Sequence, residues 1–280
     1  MTSPVLVEID DSGTAVLRDP SNGLVAVDEP GYLRGDGVFE TLAVLRGRPH
    51  GLDEHLSRLE ASAAAVDLAL PPRVAWTAAV ALAVAEHDAV DDLSVRLVAS
   101  HRASAARCTV RAEPTADASA LRRDGVAVVV LDRGYPSGAQ EAAPWLLGGV
   151  KSTSGAVTRA ALREAHRRGA DDVVWRTSDG LLLEGATSSL VLLTGGALLT
   201  PSAGSGILDG TTVARILDIG TGRGLETARR ELPAAALGGA DSAWLVSSTR
   251  RAVPIRSVDG VGLRLDRELT DAFERGLLAE

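Results

Sequence analysis

Apolar positions along this 280-residue chain follow two periods, and the places where one gives way to the other outline its elements. In "PVLVEID" and "GTAVLRD" short apolar runs flank a turn, which predicts two strands. "GVFETLAVLRGRPHGLDEH" predicts a strand pair turning at "RGRP". In "LDEHLSRLEASAAAV" the period lengthens, and Leu52, Leu56, Leu59 and Ala63 fall on one helical stripe. "PPRVAWTAAVALAVAEHD" opens on prolines, which a first helical turn tolerates, and predicts a second, buried helix. "LSVRLVAS" and "RCTVRAE" return to strand spacing and complete a small α+β unit.

"PTADASA" (114–120) is polar and turn-rich, and it predicts a linker dividing the chain into domains 1–120 and 121–280. A strand is predicted in "GVAVVVLDRG". The segment 133–149 that follows carries Gly and Pro without a period, and loops of that length in compact domains are commonly functional. "VTRAALREAHRRG" predicts a helix ending at Gly169. Strands are expected in "DDVVWRT", "LLLEGATSSLVLLT" and "GALLTP", and a helix starting near Asp209–Thr212 in "ILDGTTVARILDIGTGRG". Two further strands in "DSAWLVSSTRRAVPIRSVDG" and a helix in "DRELTDAFERGLLAE" close the chain. The expectation is an α+β protein of two domains with mixed sheets.

Composition narrows the function. The chain is 45% hydrophobic with only four Trp, two Tyr and two Phe, so its cores are built from Ala, Val and Leu. A net charge of −8 argues against a nucleic-acid partner, which wants a basic face. Cys108 stands alone, which excludes a disulfide framework and a thiolate metal cluster. The five histidines are scattered, and His50 and His55 read as structural, so no metal is expected. The longest strongly apolar stretch, 74–87, is shorter than the ~20 residues a bilayer-spanning helix needs. The acidic start has no basic region of a secretory signal. A cytoplasmic protein acting on a small molecule is expected.

The lysine count changes the picture most. Of the 29 basic residues, only Lys151 is a lysine. A biased composition can leave one stray lysine; an amine that must be deprotonated and form a Schiff base cannot be replaced by a guanidinium. Such a lysine serves a phosphorylated aldehyde cofactor, which also needs a phosphate cup and a partner for its ring nitrogen. "GILDGTTVARIL" offers glycines and Thr211 and Thr212 at a helix start, a favourable place for phosphate, although an ordinary helix start explains it too. Glu184 in "LLLEGATSS" is an acid at the end of an apolar strand, suited to a protonated pyridine and equally readable as a solvent-facing acid. "GTGRG" (220–224) follows a helix rather than a strand and is not a dinucleotide loop.

Taken together, "GYLRGDGVFETL", "LDEHLSRLEAS", "VKSTSG", "GADDVVWRTSDGLLLEGATSSLVLL", "TPSAGSGILDGTTVARIL" and "DSAWLVSSTRRAVPI" resemble, in order, the class IV, fold-type IV pyridoxal-phosphate enzymes. These are the branched-chain and D-amino-acid aminotransferases and 4-amino-4-deoxychorismate lyase. The resemblance implies a small N-terminal domain, a larger C-terminal domain with a barrel-like mixed sheet carrying the lysine, pyridoxal 5′-phosphate as cofactor, and a homodimer. It implies Lys151 as the Schiff-base residue, Glu184 as ring-nitrogen partner, and Arg58, Thr211, Thr212, Ser248 and Thr249 as phosphate ligands. Phe39 and Arg107 would face the substrate. Phe39 stands where D-amino-acid enzymes have tyrosine, and Arg107 lacks the histidine of their Arg-x-His pair. "FETL" departs from the branched-chain pattern, and Ser154 and Gly155 replace an Asn-Tyr-like pair. The last difference implies that a phenolic contact to the ring hydroxyl is absent; Phe39, the missing histidine and "FETL" favour the lyase, which yields 4-aminobenzoate and pyruvate, over an aminotransferase.

Overall fold

Strand alternation in the first part of the chain sends every second side chain into one core, and the resulting sheet has one covered face. The computed structural model describes residues 3–88, 91–103 and 105–279. It divides into two units, Met1–Ala116 with Val150–Gly155, and Asp117–Gly149 with Ala156–Glu280.

The first unit contains β1 (Val5–Ile9), β2 (Ala15–Arg18), α1 (Pro30–Arg34), β3 (Gly37–Leu45), β4 (Arg48–Pro49), α2 (Leu52–Ala64), α3 (Arg73–Ala85), β5 (Asp92–His101) and β6 (Ala106–Pro114). The sheet order is β2-β1-β6-β5-β3-β4, antiparallel at every step. Val38, Leu42 and Val44 of β3 share a core with Leu56, Leu59 and Ala63 of α2 and with Trp76, Ala79, Val80 and Ala83 of α3. The predicted helical stripe is the face that packs there, with Leu52 partly buried at its edge.

One position on that face is charged. Glu40 lies between Val38 and Leu42 in the alternation and is fully buried. A buried carboxylate is costly unless paired and hydrogen-bonded, and α2 supplies the partners. Arg58 donates from Nε to Oε1 at 2.6 Å and from Nη2 to Oε2 at 2.8 Å, and His55 Nδ1 lies 2.7 Å from Oε2. His55 and Arg58 are three residues apart, so one turn of α2 presents both to the strand. Burial would push the Glu40 carboxyl up; the hydrogen bonds and charge of Arg58 and His55 outweigh it and bring it down to about 2.

The second unit contains α4 (Ser119–Asp124), β7 (Val126–Asp132), α5 (Ala139–Ala142), α6 (Ala156–Arg167), β8 (Asp172–Arg176), β9 (Leu182–Gly185), β10 (Ser189–Thr194), β11 (Ala197–Thr200), α7 (Thr211–Gly222), β12 (Glu226–Arg229), α8 (Ala235–Gly238), β13 (Ser242–Ser247), β14 (Arg251–Val258), β15 (Val261–Gly262) and α9 (Arg267–Leu278). Its nine-stranded mixed sheet runs β12-β11-β10-β13-β14-β7-β8-β9, with β15 beside β14. Parallel pairs are β11 with β12, β14 with β7 and β7 with β8.

Both faces of this sheet are covered, which is why its strands read as continuous apolar runs. Leu190, Leu192, Ala243 and Leu245 enter one core, while Val191, Leu193, Trp244 and Val246 enter another with Val213 and Ile216 of α7 and Phe273 of α9. Trp244 and Phe273 meet edge to face with centroids 5.3 Å apart, and the indole N–H donates to Thr270 Oγ1 at 2.8 Å.

The domain division differs from the expected 1–120 and 121–280 in one respect that matters. Residues 150–155, with Lys151, belong to the first unit. The cause is backbone pairing. Phe39 N–H donates to the Lys151 carbonyl at 2.9 Å, Thr153 N–H donates to the Gly37 carbonyl at 2.9 Å, and Val38 and Ser152 form an antiparallel bridge. The predicted 114–120 linker contains the start of α4. α1 and β12 bury no residue, so no apolar period marks them.

Two outcomes follow. Gly37 has no room for a Cβ, which would stand 2.6 Å from the Ala99 carbonyl oxygen. Gly37→Ala should cost about 1–3 kcal/mol in urea unfolding and loosen the Lys151 segment, read as faster amide exchange at Thr153. Acid should also find the Glu40 cluster. Because the folded carboxyl lies below its ordinary value of 4.5, its contribution is complete above that value and is lost as pH falls toward about 2. Glu40→Gln should therefore flatten the acid limb of stability against pH, measured by urea titration between pH 2 and 6.

Candidate active site

The chemistry of the first unit gathers on β3 and α2. Beyond its pairing with β3, the lysine segment is held by Lys151 N–H donating to Ser62 Oγ of α2 at 3.2 Å and by Thr153 Oγ1 donating to the Gly35 carbonyl at 2.8 Å. Gly35 has φ 66° and lies so close to Ser154 that a Cβ would stand 3.0 Å from the Ser154 Cα, so both backbone shape and space call for glycine. Val150 packs against the first core. Lys151 is thus fixed through its backbone at the edge of a sheet, and its side chain is half-buried with Nζ 4.8 Å from the Phe39 ring centroid.

Phe39 holds a second cation. The Arg96 guanidinium, from the neighbouring strand β5, lies 3.9 Å from the same centroid, a cation–π distance. Burial lowers the Arg96 pKa, as expected for a charge held partly away from water. Nothing in the sequence marks Arg96, whose neighbours Val95 and Leu97 point to the opposite, buried face. Glu40 was missed as well, yet it carried a signal: an acid in phase with Val38, Leu42 and Val44 needs a buried partner.

Arg107 is engaged. Its Nε and Nη2 donate to the two carboxylate oxygens of Glu29 at 2.9 and 2.5 Å, and its Nη1 donates to Glu8 at 2.9 Å. Those hydrogen bonds, working against burial, hold the Glu29 carboxyl below its ordinary value. Glu29 in turn accepts from the Ala26 N–H at 3.1 Å and stands at the N-terminus of α1. In this structure Arg107 fastens the segment before α1 to the sheet, and its three nitrogens point at carboxylates rather than at an open anion site. Cys108 beside it is buried, which pushes its thiol up to about 12 and makes it a poor nucleophile.

In the second unit, α7 begins at Thr211 behind Gly210, which supplies no side-chain cap. A Cβ on Gly210 would stand 2.3 Å from Ser189 Oγ, so the backbone runs close against β10. Thr212 Oγ1 and Ser248 Oγ are 3.4 Å apart. Two hydroxyls from separate elements thus meet at the positive end of a twelve-residue helix. Ser248 and Thr249 lie in the turn joining β13 to β14. Arg250 and Arg251 shape that turn: Arg250 donates to the buried Asp172 at 2.9 Å, and Arg251, at φ 61°, donates to Glu274 at 2.6 Å. Glu184, half-buried on β9, accepts a long 3.4 Å contact from Leu208 N–H.

Among the described residues no three His, Cys, Asp or Glu side chains cluster as a metal site, and no helix is long and apolar enough to cross a membrane.

A family model described as amino-transferase class IV matches residues 37–258. A bifunctional aminodeoxychorismate lyase / D-amino acid transaminase from Mycobacterium tuberculosis is 38% identical over 257 residues, covering 87% of this chain and 89% of the relative. A fold IV-transaminase from Curtobacterium pusillum superposes with a TM-score of 0.95 at 40% identity, covering 99% of this chain and 100% of that one. The PLP-bound form of a hypothetical aminotransferase from Mycobacterium tuberculosis gives 0.91 at 34% identity, covering 99% of each. The fold is that of the fold-type IV transaminases. The matched region runs from the first residue of β3 to the last of β14 and takes in Lys151; the chain belongs to the class IV aminotransferase family.

Proposed function

We propose that this class IV enzyme uses pyridoxal 5′-phosphate to convert 4-amino-4-deoxychorismate to 4-aminobenzoate and pyruvate. The observation that carries the cofactor reading is the placement of the sole lysine, fixed through its backbone on β3 with its amine beside an aromatic ring.

The donor set fits the cofactor. The Thr212 and Ser248 hydroxyls meet at a helix start without a side-chain cap, which is the chemistry of a phosphate cup. Thr211 and Thr249 adjoin them, and Arg58 would add a charge-assisted contact to phosphate. Glu184 would keep the pyridine nitrogen protonated. Lys151 Nζ would hold the aldehyde carbon. When bound, the cofactor supplies an electron sink for the carbon that bears the substrate's amino group.

The rest is done by side chains of this chain. Lys151 Nζ would accept the proton from the substrate's amino-bearing carbon. In the lyase reaction the ring carbon–oxygen bond would then break, the enolpyruvate would leave and take up the proton held by Lys151 to become pyruvate, and the ring would become aromatic, so no second substrate is consumed. Arg96, on the same ring as Lys151, offers a cation to a substrate carboxylate. Phe39 gives the flat surface that both cations contact.

Transamination of D-amino acids is the second reading, favoured by the bifunctional name of the 38% identical relative. A branched-chain aminotransferase is a less supported form of the same alternative. The reading includes a cytoplasmic homodimer. Val27, Tyr32 and Leu33 are exposed in and before α1, which buries no residue in the single chain, and such apolar surface suits a partner.

Borohydride reduction of the cofactor-loaded protein followed by peptide mapping should place the pyridoxyl group on Lys151. Lys151→Arg should lower kcat by about 10³-fold or more, because a guanidinium does not deprotonate to act as base or nucleophile. For the reaction itself, 4-amino-4-deoxychorismate should give 4-aminobenzoate and pyruvate over many turnovers without a keto acid. In a parallel assay D-alanine and branched-chain amino acids are offered with 2-oxoglutarate. Silence in the first assay with steady glutamate formation in the second would replace the lyase by an aminotransferase.

A further inference from the structure

Glu40 is the most deeply buried acid of the first unit and takes both ends of a fork from Arg58. We propose that Glu40 is a positioning residue for the cofactor phosphate: its two-point hydrogen bond fixes the Arg58 guanidinium in the orientation that receives the phosphate. This rests on the proposed function, in which Arg58 contacts that group.

An arginine carries considerable rotamer entropy, and its planar fork is useful only when its plane is set. Glu40 sets it from a strand, since both carboxylate oxygens accept from one edge of the guanidinium at 2.6 and 2.8 Å. His55, one helical turn earlier, lies 2.7 Å from Oε2 and fixes the carboxylate itself. The next residue toward the N-terminus, Phe39, donates its N–H to the Lys151 carbonyl. Consecutive residues of β3 therefore fix the backbone of the lysine and the head of the arginine. An aldehyde and a phosphate belonging to one rigid molecule require a set distance between their ligands, and a shared strand provides a rigid reference.

Charge alone predicts the opposite sign. A carboxylate beside Arg58 reduces the attraction of that arginine for an anion, so removing the Glu40 charge should tighten phosphate binding if Glu40 were only a neutralising neighbour. If Glu40 positions Arg58, removing it weakens binding although a negative charge has been lost.

The experiment compares pyridoxal 5′-phosphate with pyridoxal, which has the aldehyde but no phosphate. Both are titrated by absorbance and fluorescence into the full-length protein and into Glu40→Gln, Glu40→Asp, Arg58→Ala and the Glu40→Gln/Arg58→Ala double variant, with thermal melts confirming folding. Glu40→Gln should raise the Kd for pyridoxal 5′-phosphate about tenfold and leave that for pyridoxal within about twofold. The double variant should bind no more weakly than Arg58→Ala, since Glu40 acts through Arg58. Glu40→Asp keeps the charge but withdraws the carboxylate, and should shift the Kd the same way; it carries the comparison if Glu40→Gln does not fold. Equal shifts for both ligands, tighter binding of pyridoxal 5′-phosphate by Glu40→Gln, or losses that add in the double variant would overturn the proposal. An unchanged Kd in Arg58→Ala would instead remove the phosphate role of Arg58 and the proposal with it.

Discussion

Two backbone hydrogen bonds, from Phe39 to Lys151 and from Thr153 to Gly37, determine where the sole lysine of this chain is held. A lysine on a loop has a long flexible stem and needs its Cα held if the amine is to reach one atom repeatedly. Here the Cα is held as a strand residue is held, at the edge of β3, with Ser62 taking the Lys151 N–H side. The requirement spreads outward. Gly35 and Gly37 must lack side chains to let the segment and the neighbouring strand come close, and Arg107 with Glu29 steadies the chain that leads into α1.

Arginine does most of the internal tying. Arg58 with Glu40, Arg107 with Glu29 and Glu8, Arg250 with Asp172 and Arg251 with Glu274 are all charge-assisted pairs in which at least one partner is buried or nearly so. The planar fork suits this use better than an ammonium. A chain so committed to arginine keeps lysine at a single position, Lys151. Arg96 is employed differently, resting on the Phe39 ring.

The helices and most strands were legible because each buries a stripe or an alternating face that the sequence displays. The stripe of α2 and the double-sided strands β10 and β13 are the clearest cases. Lys151 stands out in the sequence by its rarity, and the start of α7 at Thr211 was legible by the glycine before it. The attachment of Lys151 to the first unit was not, because "VKSTSG" has no period and pairs with a strand more than a hundred residues earlier through backbone atoms that every residue shares. The engagement of Arg107, Arg250 and Arg251 was hidden for a related reason. A sequence counts charges, but which carboxylate meets which arginine is settled by the sheet that brings them together.

Because Val150–Gly155 completes a unit whose other residues end at Ala116, that unit is discontinuous in the chain. During synthesis the N-terminal half of the β3 edge has its peptide groups unmatched until residues 117–149 have also been made. An open strand edge is a template for pairing with other chains, so the ribosome delivers this unit with a temporary hazard that pairing with Val150–Gly155 removes. Cleaving the chain at its apparent linker would make that exposure permanent, and fragment complementation would have to restore a strand edge before it could restore a site.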